Sequence, residues 1–398
     1  MPHTAEAIIV GAGVMGASLA FHLTRAGMKD VLVLDKNGLC GGMTARSGAL
    51  VRMHYTNEPE ARMAFASFRH YFQHWHEVVG GDSGFRRSGF IMTVAPSNAE
   101  RLRQNVAMLQ AIGVNTAVIT AQELRALQPF CQVDDLTVAA YEPESGYADP
   151  RATTTAFMRQ AQQQGATLSE GVMVTSIRTA GGRVLGVETN IGPVDAPIVV
   201  VMAGPWSDRL LSTVGVAFPL TPQRAQLAFY HRPAALARGH MVYIDGALGA
   251  YFRPHGQELT LAGVGQWKQE PPPDPDAYNE ANDADFIPAV RAKVACRLPA
   301  LAQAAYARGH AGVYDVSPDT RAILDRAPGI DGLYMAAGFS GTGFKISPAV
   351  GACMAELITQ GQATFVDITP FRFRRFAENQ PICGPHEYVL PESFGHRV

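Results

Sequence analysis

The N-terminal part of the chain alternates between short apolar runs and a helical pattern of apolar positions. One apolar run spans residues 7–10, and a second spans residues 31–34 and ends at Asp35. Between the two runs, residues 19–26 place apolar side chains three and four positions apart, the spacing of one helix face. This order predicts a strand, a helix and a second strand at the start of the chain.

Three glycines with the spacing G-x-G-x-x-G join the first predicted strand to the predicted helix. A dinucleotide site needs a tight turn at Gly11, close backbone approach at Gly13 and close helix packing at Gly16. The helix N-terminus offers unpaired N–H groups and a partial positive charge to phosphates. Asp35 stands where a carboxylate would accept hydrogen bonds from ribose hydroxyls. The pattern predicts dinucleotide binding, and an ordinary glycine turn in a βαβ unit is the alternative.

The same periodicities predict the later elements. Helices are expected at residues 58–80, 98–112, 121–127, 150–164, 284–307 and 348–359. Strands are expected at residues 90–94, 165–168, 172–174, 194–202, 226–230, 241–244, 250–253, 259–264 and 332–338. Gly181 and Gly182 predict a hairpin turn.

Segments typical of a dinucleotide-binding domain occur at the start, in the middle and near the end of the chain, with a more strand-rich part between them. The expected fold class is therefore α/β, or α+β for the molecule overall. We expect a discontinuous cofactor-binding domain of residues 1–84, 146–215 and 311–390. A β-sheet-rich substrate-binding domain would take residues 85–145 and 216–310.

Composition and charge are those of a globular enzyme and argue against several other classes. A chain of 398 residues exceeds one ordinary core, and it is 47% hydrophobic and 17% charged. A net charge of −2 gives no electrostatic footprint for nucleic acid or an anionic membrane. The chain has no apolar stretch of about 18 residues, so we expect no membrane insertion. The start lacks a basic region followed by an apolar core, so we expect no secretory signal.

The cysteines and histidines give no sign of a metal site. Neither C-x-x-C nor H-E-x-x-H spacing occurs in the chain. An odd number of scattered thiols is typical of the reducing cytoplasm, so we expect a cytoplasmic protein. The five cysteines are Cys40, Cys131, Cys296, Cys353 and Cys383.

Three blocks of sequence resemble, in the same order, the D-amino-acid-oxidase superfamily of FAD-dependent enzymes. They are residues 8–35, residues 199–210 (VVVMAGPWSDRL) and residues 338–345 (GFSGTGFK), joined by SGALVRMHY at 47–55 and YADPRA at 147–152. Within that superfamily the chain most resembles the sarcosine oxidases and related N-methyl amino acid or imino acid oxidoreductases. The resemblance implies FAD and a Rossmann-like FAD-binding domain of the glutathione-reductase type, interleaved with the substrate domain.

The resemblance implies FAD contacts in the glycine turn and in two later segments. Ala203 and Gly204 carry little bulk, so the cofactor can approach their backbone, and Gly341 and Gly343 do the same beside the flavin ring. Backbone N–H groups there can stabilise the negative charge that develops on the reduced ring. The residues expected to contact FAD are Gly11, Gly13, Val14, Met15, Gly16, Asp35, Lys36, Thr44, Ala45, Ser47, Gly48, Val174, Ala203, Gly204, Trp206, Gly341, Thr342, Gly343, Phe344 and Lys345.

The resemblance also implies which side chains bind the substrate. Arginine and lysine hold the substrate carboxylate in sarcosine oxidases, and Arg52 and Lys345 match those positions; the alternative for each is a solvated surface cation. Arg253 is a further carboxylate-binding candidate, with a structural salt bridge as its alternative. Tyr314 is expected near the flavin ring and Tyr251 in the pocket wall, and core packing is the alternative for both.

Three positions depart from the family pattern. Some sarcosine oxidases attach FAD through a cysteine, and Gly312 stands at that position, so we expect non-covalent FAD. The oxygen-activating lysine of the family would fall near Leu261, although Lys268 lies seven residues further on. The pocket histidine falls near Gly265, which would leave room for a larger or differently shaped substrate.

The expected reaction is oxidation of the C–N bond of a small secondary amine or amino acid that carries a carboxylate. Hydride would pass to flavin N5, the imine would hydrolyse, and O2 would reoxidise the flavin and yield H2O2. Alternatives are a dehydrogenase, with or without a partner subunit, that passes electrons to another acceptor, and an oxidase of primary D-amino acids or glycine. A non-catalytic FAD- or nucleotide-binding scaffold and a nicotinamide dehydrogenase also stay open. No nucleic-acid partner is expected.

Overall fold

The computed structural model describes residues 2–265 and 271–389. Their α-helices are α1 (Val14–Arg25), α2 (Glu58–His70), α3 (Trp75–Val78), α4 (Ala99–Ala111), α5 (Ala121–Leu127), α6 (Pro150–Gln163), α7 (Ser207–Ser212), α8 (Phe286–Arg297) and α9 (Ser347–Gln360). Within the described residues, no helix combines the length and the apolar character needed to cross a membrane.

Most of the strands belong to two large sheets. In chain order they are β1 (Ala7–Val10), β2 (Val31–Asp35), β3 (Leu50–Val51), β4 (Arg86–Arg87), β5 (Phe90–Thr93), β6 (Ala117–Thr120), β7 (Val138–Glu142), β8 (Gly146–Tyr147), β9 (Thr167–Glu170), β10 (Val174–Ala180), β11 (Arg183–Thr189), β12 (Val194–Asp195), β13 (Val199–Val201), β14 (Thr221–His231), β15 (Val242–Asp245), β16 (Ala250–His255), β17 (Leu259–Val264), β18 (Tyr306–Val316), β19 (Ile323–Arg326) and β20 (Leu333–Ala337).

The first large sheet has the strand order β19-β20-β13-β1-β2-β9 and is parallel except for β19. Strands β1 and β2 are buried apart from the last residue of β2, because helices cover one face of the sheet and strands β10–β12 cover the other. The predicted βαβ unit is therefore confirmed, with α1 between β1 and β2. Strands from three separate parts of the chain meet in this sheet.

The second large sheet has the order β18-β14-β17-β16-β15-β5-β7-β6 and is antiparallel except for the β15–β5 pair. The mixed α/β class with interleaved sheets is as the sequence predicts. The domain limits 1–84, 146–215, 311–390 and 85–145, 216–310 stay predictions. Strand β18 starts five residues before the expected limit at 311 and pairs with β14 in the second sheet.

Two predicted helices are wrong in extent. The expected helix at 58–80 breaks at Tyr71, which adopts non-helical angles; α2 ends before it and the short α3 follows later. The helices expected near 284–307 extend only to Gln303: α8 ends at Arg297 because Pro299 cannot continue it, a short 3-10 helix spans Pro299–Gln303, and the chain becomes strand β18 at Tyr306.

The strand expected at 194–202 divides into β12 and β13, which lie in different sheets. Pro197 lies between the two, and it lacks the N–H group that would continue a ladder. The hairpin predicted at Gly181 and Gly182 is confirmed, because Ala180 pairs with Arg183 across the turn.

Candidate active site

A cleft of about 440 Å³ lies beyond the carboxyl ends of the parallel strands β1, β2 and β13. This edge is where open α/β sheets bind ligands. The expected FAD contacts that line the cleft are Gly11, Gly13, Val14, Met15, Asp35, Lys36, Thr44, Ser47, Val174, Ala203, Gly204, Trp206, Gly341, Gly343 and Phe344. The structure thus brings together residues that lie more than 300 positions apart in the chain.

The glycine turn has the geometry that its sequence predicts. Gly11 has φ +114°, and a Cβ atom there would lie 2.4 Å from the carbonyl oxygen of Met202. A Cβ atom at Gly16 would lie 1.9 Å from the Gly11 carbonyl oxygen, so glycine is needed where α1 packs against the turn. The Val14 N–H donates to Thr44 Oγ1 at 3.1 Å, which ties the start of α1 to the second glycine-rich loop.

Asp35 is held at the end of β2 by backbone hydrogen bonds. Its Oδ2 accepts from the Ala12 N–H at 2.8 Å, and its Oδ1 accepts from the N–H groups of Asn37 at 2.7 Å and Gly38 at 2.9 Å. These bonds fix the carboxylate beside the glycine turn. A carboxylate has about four lone-pair sites, two on each oxygen, so Oδ2 keeps acceptor capacity.

An acidic segment after strand β17 lines one side of the cleft with Asp276. Asp276 accepts from Trp206 Nε1 at 2.9 Å and pairs with Arg209 at 2.8 Å and with Lys36. Lys36 Nζ also lies 4.0 Å from the centre of the Trp206 ring. Sequence reasoning missed Asp276, because a proline-rich acidic stretch is typical of a surface loop.

These features fit an elongated dinucleotide. The cleft has a backbone-lined glycine turn and a helix N-terminus at one end, and a carboxylate stands beside them. At Gly204, with φ +53°, no heavy atom lies within 4 Å of the place that a Cβ atom would take, so the backbone there faces open space. The site can therefore hold the pyrophosphate and the adenosine of FAD without displacing a side chain at Gly204.

A smaller chamber of about 110 Å³ adjoins the cleft. Ser47, Tyr314, Gly341 and Phe344 line both, so the two spaces meet at these residues. Three further expected FAD contacts, Gly48, Thr342 and Lys345, line the chamber instead of the cleft. Ala45 lies in the short helix Met43–Arg46, outside the described lining of both spaces.

Arg52 follows strand β3 and lines the chamber, where only 4% of it is exposed. Its Nη1 donates to the His54 carbonyl, and its guanidinium lies 4.6 Å from the centre of the Tyr55 ring. Its Nε is buried and has no hydrogen-bond partner among the residues that the structure describes. A buried charged donor without a partner is costly, so Arg52 Nε has an unmet need for an acceptor.

Lys345 also lines the chamber. It lies in the turn that precedes α9, and it is buried as well. Its Nζ donates to Tyr55 Oη at 3.0 Å and to the Thr342 carbonyl at 3.1 Å, which uses two of its three donors. Burial lowers the pKa of Lys345 well below its usual value, and the nearby Arg52 charge lowers it further. Tyr55, which sequence reasoning missed, therefore contacts both cations.

The other predicted substrate-binding residues occupy different places. Tyr314 lies at the junction of cleft and chamber, and Tyr251 lines the chamber. Arg253 lies outside the described lining; its Nε donates to the Gly48 carbonyl and its Nη1 to the Pro254 carbonyl at 2.7 Å. Burial lowers the pKa of Arg253 to about 10.

The departures from the family pattern are visible in the same region. Leu261 is buried on β17 beside Gly48, and Gly265 lines the chamber. Lys268 lies outside the described residues. A Cβ atom at Gly312 would meet the Arg46 side chain at 3.2 Å. All five cysteines are free, and none is among the described residues that line the cleft or the chamber.

Three apolar residues of the chamber wall were also missed. Leu50 lies on β3 in a small sheet, and Ile244 and Val264 lie on β15 and β17 of the second large sheet. Their sequence signal was only that of ordinary strand residues, since nothing in a period-two pattern tells a chamber wall from a core.

Comparison with characterised proteins places this geometry in a family. The chain is 26% identical to human mitochondrial sarcosine dehydrogenase over 94% of its own length, and it spans 42% of that protein. It is 24% identical to sarcosine oxidase subunit beta from Rhodobacter capsulatus, and the match covers 94% of the chain and 89% of the subunit.

The crystal structure of L-proline dehydrogenase from P. horikoshii superposes with a TM-score of 0.87 at 26% identity, covering 96% of this chain and 100% of that one. The family model for FAD dependent oxidoreductases, DAO, matches residues 6–357. The glycine turn, the cleft and the strand order agree with this match. The chain therefore belongs to the DAO family of FAD-dependent oxidoreductases.

Proposed function

We propose that this protein oxidises the C–N bond of a small amine that carries a carboxylate, such as an N-methyl amino acid or a cyclic imino acid. The observation that carries the proposal is the chamber in which Arg52 and Lys345 meet beside the cofactor cleft, with Arg52 Nε unpaired among the described residues. Relatives named as sarcosine dehydrogenase and as 4-methylaminobutanoate oxidase support an amine of this class.

In the proposal, Arg52 and Lys345 bind the substrate carboxylate. The planar guanidinium donates from Nε and a terminal nitrogen, and Lys345 donates its third N–H. Tyr55 fixes the two cations relative to each other by contacting both. The amine end of the substrate then points to the junction lined by Tyr314 and Gly341.

The cofactor supplies the hydride acceptor when it is bound. The protein's residues must supply a neutral amine, because a protonated amine has no lone pair to assist hydride loss. Two cations in the chamber disfavour a third positive charge, so they lower the pKa of the bound amine. The apolar wall of Leu50, Ile244 and Val264 excludes water from the same space. No side-chain base is required.

The electron acceptor in the proposal is O2, with H2O2 as its product. A dehydrogenase with another acceptor is the second candidate, and one observation favours it. Leu261, buried and apolar, stands where an oxygen-activating lysine is expected, and a cation there would stabilise superoxide. Measurement of H2O2 during turnover in air separates the two candidates.

The proposal also covers how FAD is attached, where the protein is located and whether it has a partner subunit. FAD is bound non-covalently, since Gly312 offers no thiol and the cysteines lie outside the described lining. The residues that hold it are the predicted FAD contacts of the cleft. A cytoplasmic location and a partner subunit, as the name of one relative suggests, stay proposals.

Anaerobic flavin reduction tests the proposed function. A panel of N-methyl amino acids, cyclic imino acids, glycine and D-amino acids is mixed with the FAD-loaded protein, and flavin absorbance is followed. We expect at least one secondary amino acid to bleach the flavin, and Arg52→Ala to weaken its apparent affinity about a hundredfold. Arg62→Ala on the exposed face of α2 is the matched control. An unchanged affinity in Arg52→Ala contradicts the proposal.

A further inference from the structure

Behind the chamber wall lies a buried group of polar side chains with no part in the proposed reaction. Its centre is Glu60 on α2, whose side chain is fully buried. Asn57 caps the helix by accepting from the Glu60 N–H at 3.0 Å, and Asn57 Nδ2 donates to Glu60 Oε2 at 2.8 Å. The carboxylate of Glu60 is therefore fixed by its own helix start.

The group reaches Lys345 through one threonine. Thr342 Oγ1 lies 2.9 Å from the Phe339 carbonyl oxygen and 3.4 Å from Glu60 Oε1, so its single proton is shared between these two acceptors, and the carbonyl of Thr342 accepts from Lys345 Nζ at 3.1 Å. Tyr55 Oη accepts from the same Nζ at 3.0 Å. Two of the three donors of Lys345 are thereby held on the side of Glu60, which leaves the third for the chamber.

The buried charged side chains in the region of Lys345 differ in sign. Arg52 and Arg321 are buried cations, and Glu60 pairs with Arg321 Nε at 3.0 Å. Glu142 lies on the far side of Arg52, where it accepts from the Met53 N–H at 2.9 Å, and burial raises its pKa. The titratable or charged side chains that face this region from the packed elements are Arg52, Tyr55, Glu60, Glu142, Tyr314, Arg321 and Glu387.

The negative charge of Glu60 acts against the effect of burial. Burial and Arg52 both lower the pKa of Lys345, whereas Glu60 raises it. Without Glu60, the buried Lys345 would keep Arg52 as a nearby cation, would have lost the negative charge that favours its protonated form, and would lose its proton at a lower pH.

We propose that Glu60 is a positioning residue for carboxylate binding: acting through Thr342 and beside Tyr55, it keeps the Lys345 ammonium group charged and directed at the chamber. The inference rests on the proposed function, because it takes Lys345 as a carboxylate-binding group. The competing interpretation is that Glu60 serves only as the counterion of Arg321. That role would affect folding stability and leave the pH dependence of ligand binding unchanged.

Acetate binding to the FAD-loaded protein tests the inference without turnover. Acetate is titrated at a series of pH values, and its binding is followed by the change in flavin absorbance. In the wild type, affinity falls as rising pH removes the proton of Lys345. In Glu60→Gln, which keeps the size and the polar contacts of the side chain, we expect the midpoint of this fall to move down by about one unit. Above both midpoints, affinity should be about tenfold lower than in the wild type.

The experiment includes a control variant and a replacement for Glu60→Gln. Asp245→Asn is the matched control, because Asp245 is another fully buried carboxylate, and its partner at 2.7 Å is Arg297 rather than a cation of the chamber. It should leave the acetate midpoint in place. If Glu60→Gln does not fold, Thr342→Val takes its place, because it removes the hydroxyl that contacts Glu60 and keeps the carbonyl that accepts from Lys345 Nζ; it should weaken acetate binding.

Failure of the inference is distinguishable from failure of the proposed function. If Arg52→Ala weakens acetate binding while Glu60→Gln leaves both affinity and midpoint unchanged, the role of Glu60 is overturned and the carboxylate site stands. The same holds if Thr342→Val is used and binds acetate as tightly as the wild type. If Arg52→Ala also binds acetate normally, the carboxylate site itself is wrong.

Discussion

At the scale of single residues, two buried arginines from similar sequence contexts differ in what their nitrogen atoms contact. Arg52 lines the chamber and has one buried nitrogen without a partner among the described residues. Arg253 donates to two backbone carbonyls and lies 4.5 Å from the centre of the Tyr147 ring. In the proposed function a ligand adds hydrogen bonds to the first arginine, whereas the second uses its Nε and Nη1 to hold the backbone at Gly48 and Pro254.

This difference predicts opposite effects of substitution. Arg253→Gln should lower the free energy of unfolding by about 2 kcal/mol, because it leaves buried carbonyls without their charged donor. It should leave the apparent affinity for the amine substrate within about twofold of the wild type. Denaturant unfolding and anaerobic flavin titration measure the two effects. A large loss of substrate affinity with normal stability would instead assign carboxylate binding to Arg253.

At the scale of elements, the segment that carries Asp274 and Asp276 ties the second sheet region to the cleft. Asp274 pairs with Arg209 at 2.7 Å, and Asp276 pairs with Arg209 and Lys36 and accepts from Trp206. These contacts join a loop of one region to residues around the cofactor cleft of the other. The segment is thus expected to slow release of FAD.

Asp276→Asn should accelerate FAD dissociation about two- to fivefold, because the pairs are partly exposed and each contributes little. Dissociation is measured by the recovery of free FAD fluorescence after dilution. Asp134→Asn is the control, since Asp134 pairs with Arg125 at an exposed site elsewhere. Unchanged or slower release in Asp276→Asn would show that the segment does not restrain the cofactor.

Elements also show where sequence patterns succeed and where they fail. The βαβ unit was predictable because β1, α1 and β2 combine a clear period with glycines of fixed spacing. Strand β18 was not, because its sequence YARGHAGVYDV is mostly polar or small, and its partner β14 creates the pairing through long-range contacts. The break of α2 at Tyr71 likewise depends on a tertiary contact, the 2.8 Å hydrogen bond between Tyr71 Oη and His22 Nε2.

The site was predictable to the extent that its residues lie in motifs. The glycine turn, Arg52 and Lys345 stand in the sequence blocks that resemble the family, and the structure brings the last two to one chamber. Asp276 and Glu60 carry no local signal, because their roles arise from contacts with residues far away in the chain; Tyr55 ends the block 47–55, but its contact with Lys345 is equally distant in sequence. Sequence patterns encode periodicity and turns, and they do not encode which buried polar groups meet.

At the scale of the whole molecule, the interior contains histidines that fold in the neutral form. Burial lowers the pKa of His22 to about 4, that of His54 to about 3 and that of His240 to about 4. In the unfolded chain these side chains take up a proton near pH 6.5. The folded state therefore binds fewer protons than the unfolded state between these values, and acid favours unfolding.

The free energy of unfolding should consequently fall as pH drops from about 6.5 towards 4. His22→Gln should reduce the slope of this fall, since the His22 contribution amounts to about 3 kcal/mol across the window. Denaturant unfolding at a series of pH values measures the slope, and His231→Gln at an exposed position of β14 is the control. An unchanged slope in His22→Gln would contradict the burial of a neutral imidazole at this position.

The central claim is that Arg52 and Lys345 hold a substrate carboxylate so that its amine can reduce the flavin. Anaerobic flavin reduction by matched acid and carboxamide forms of each amine, in wild type and Arg52→Ala, measures this most directly. We predict that the best secondary amino acid bleaches the wild-type flavin, that its carboxamide is about a hundredfold less effective, and that Arg52→Ala removes this preference. Equal reduction by acid and carboxamide in the wild type would contradict the account.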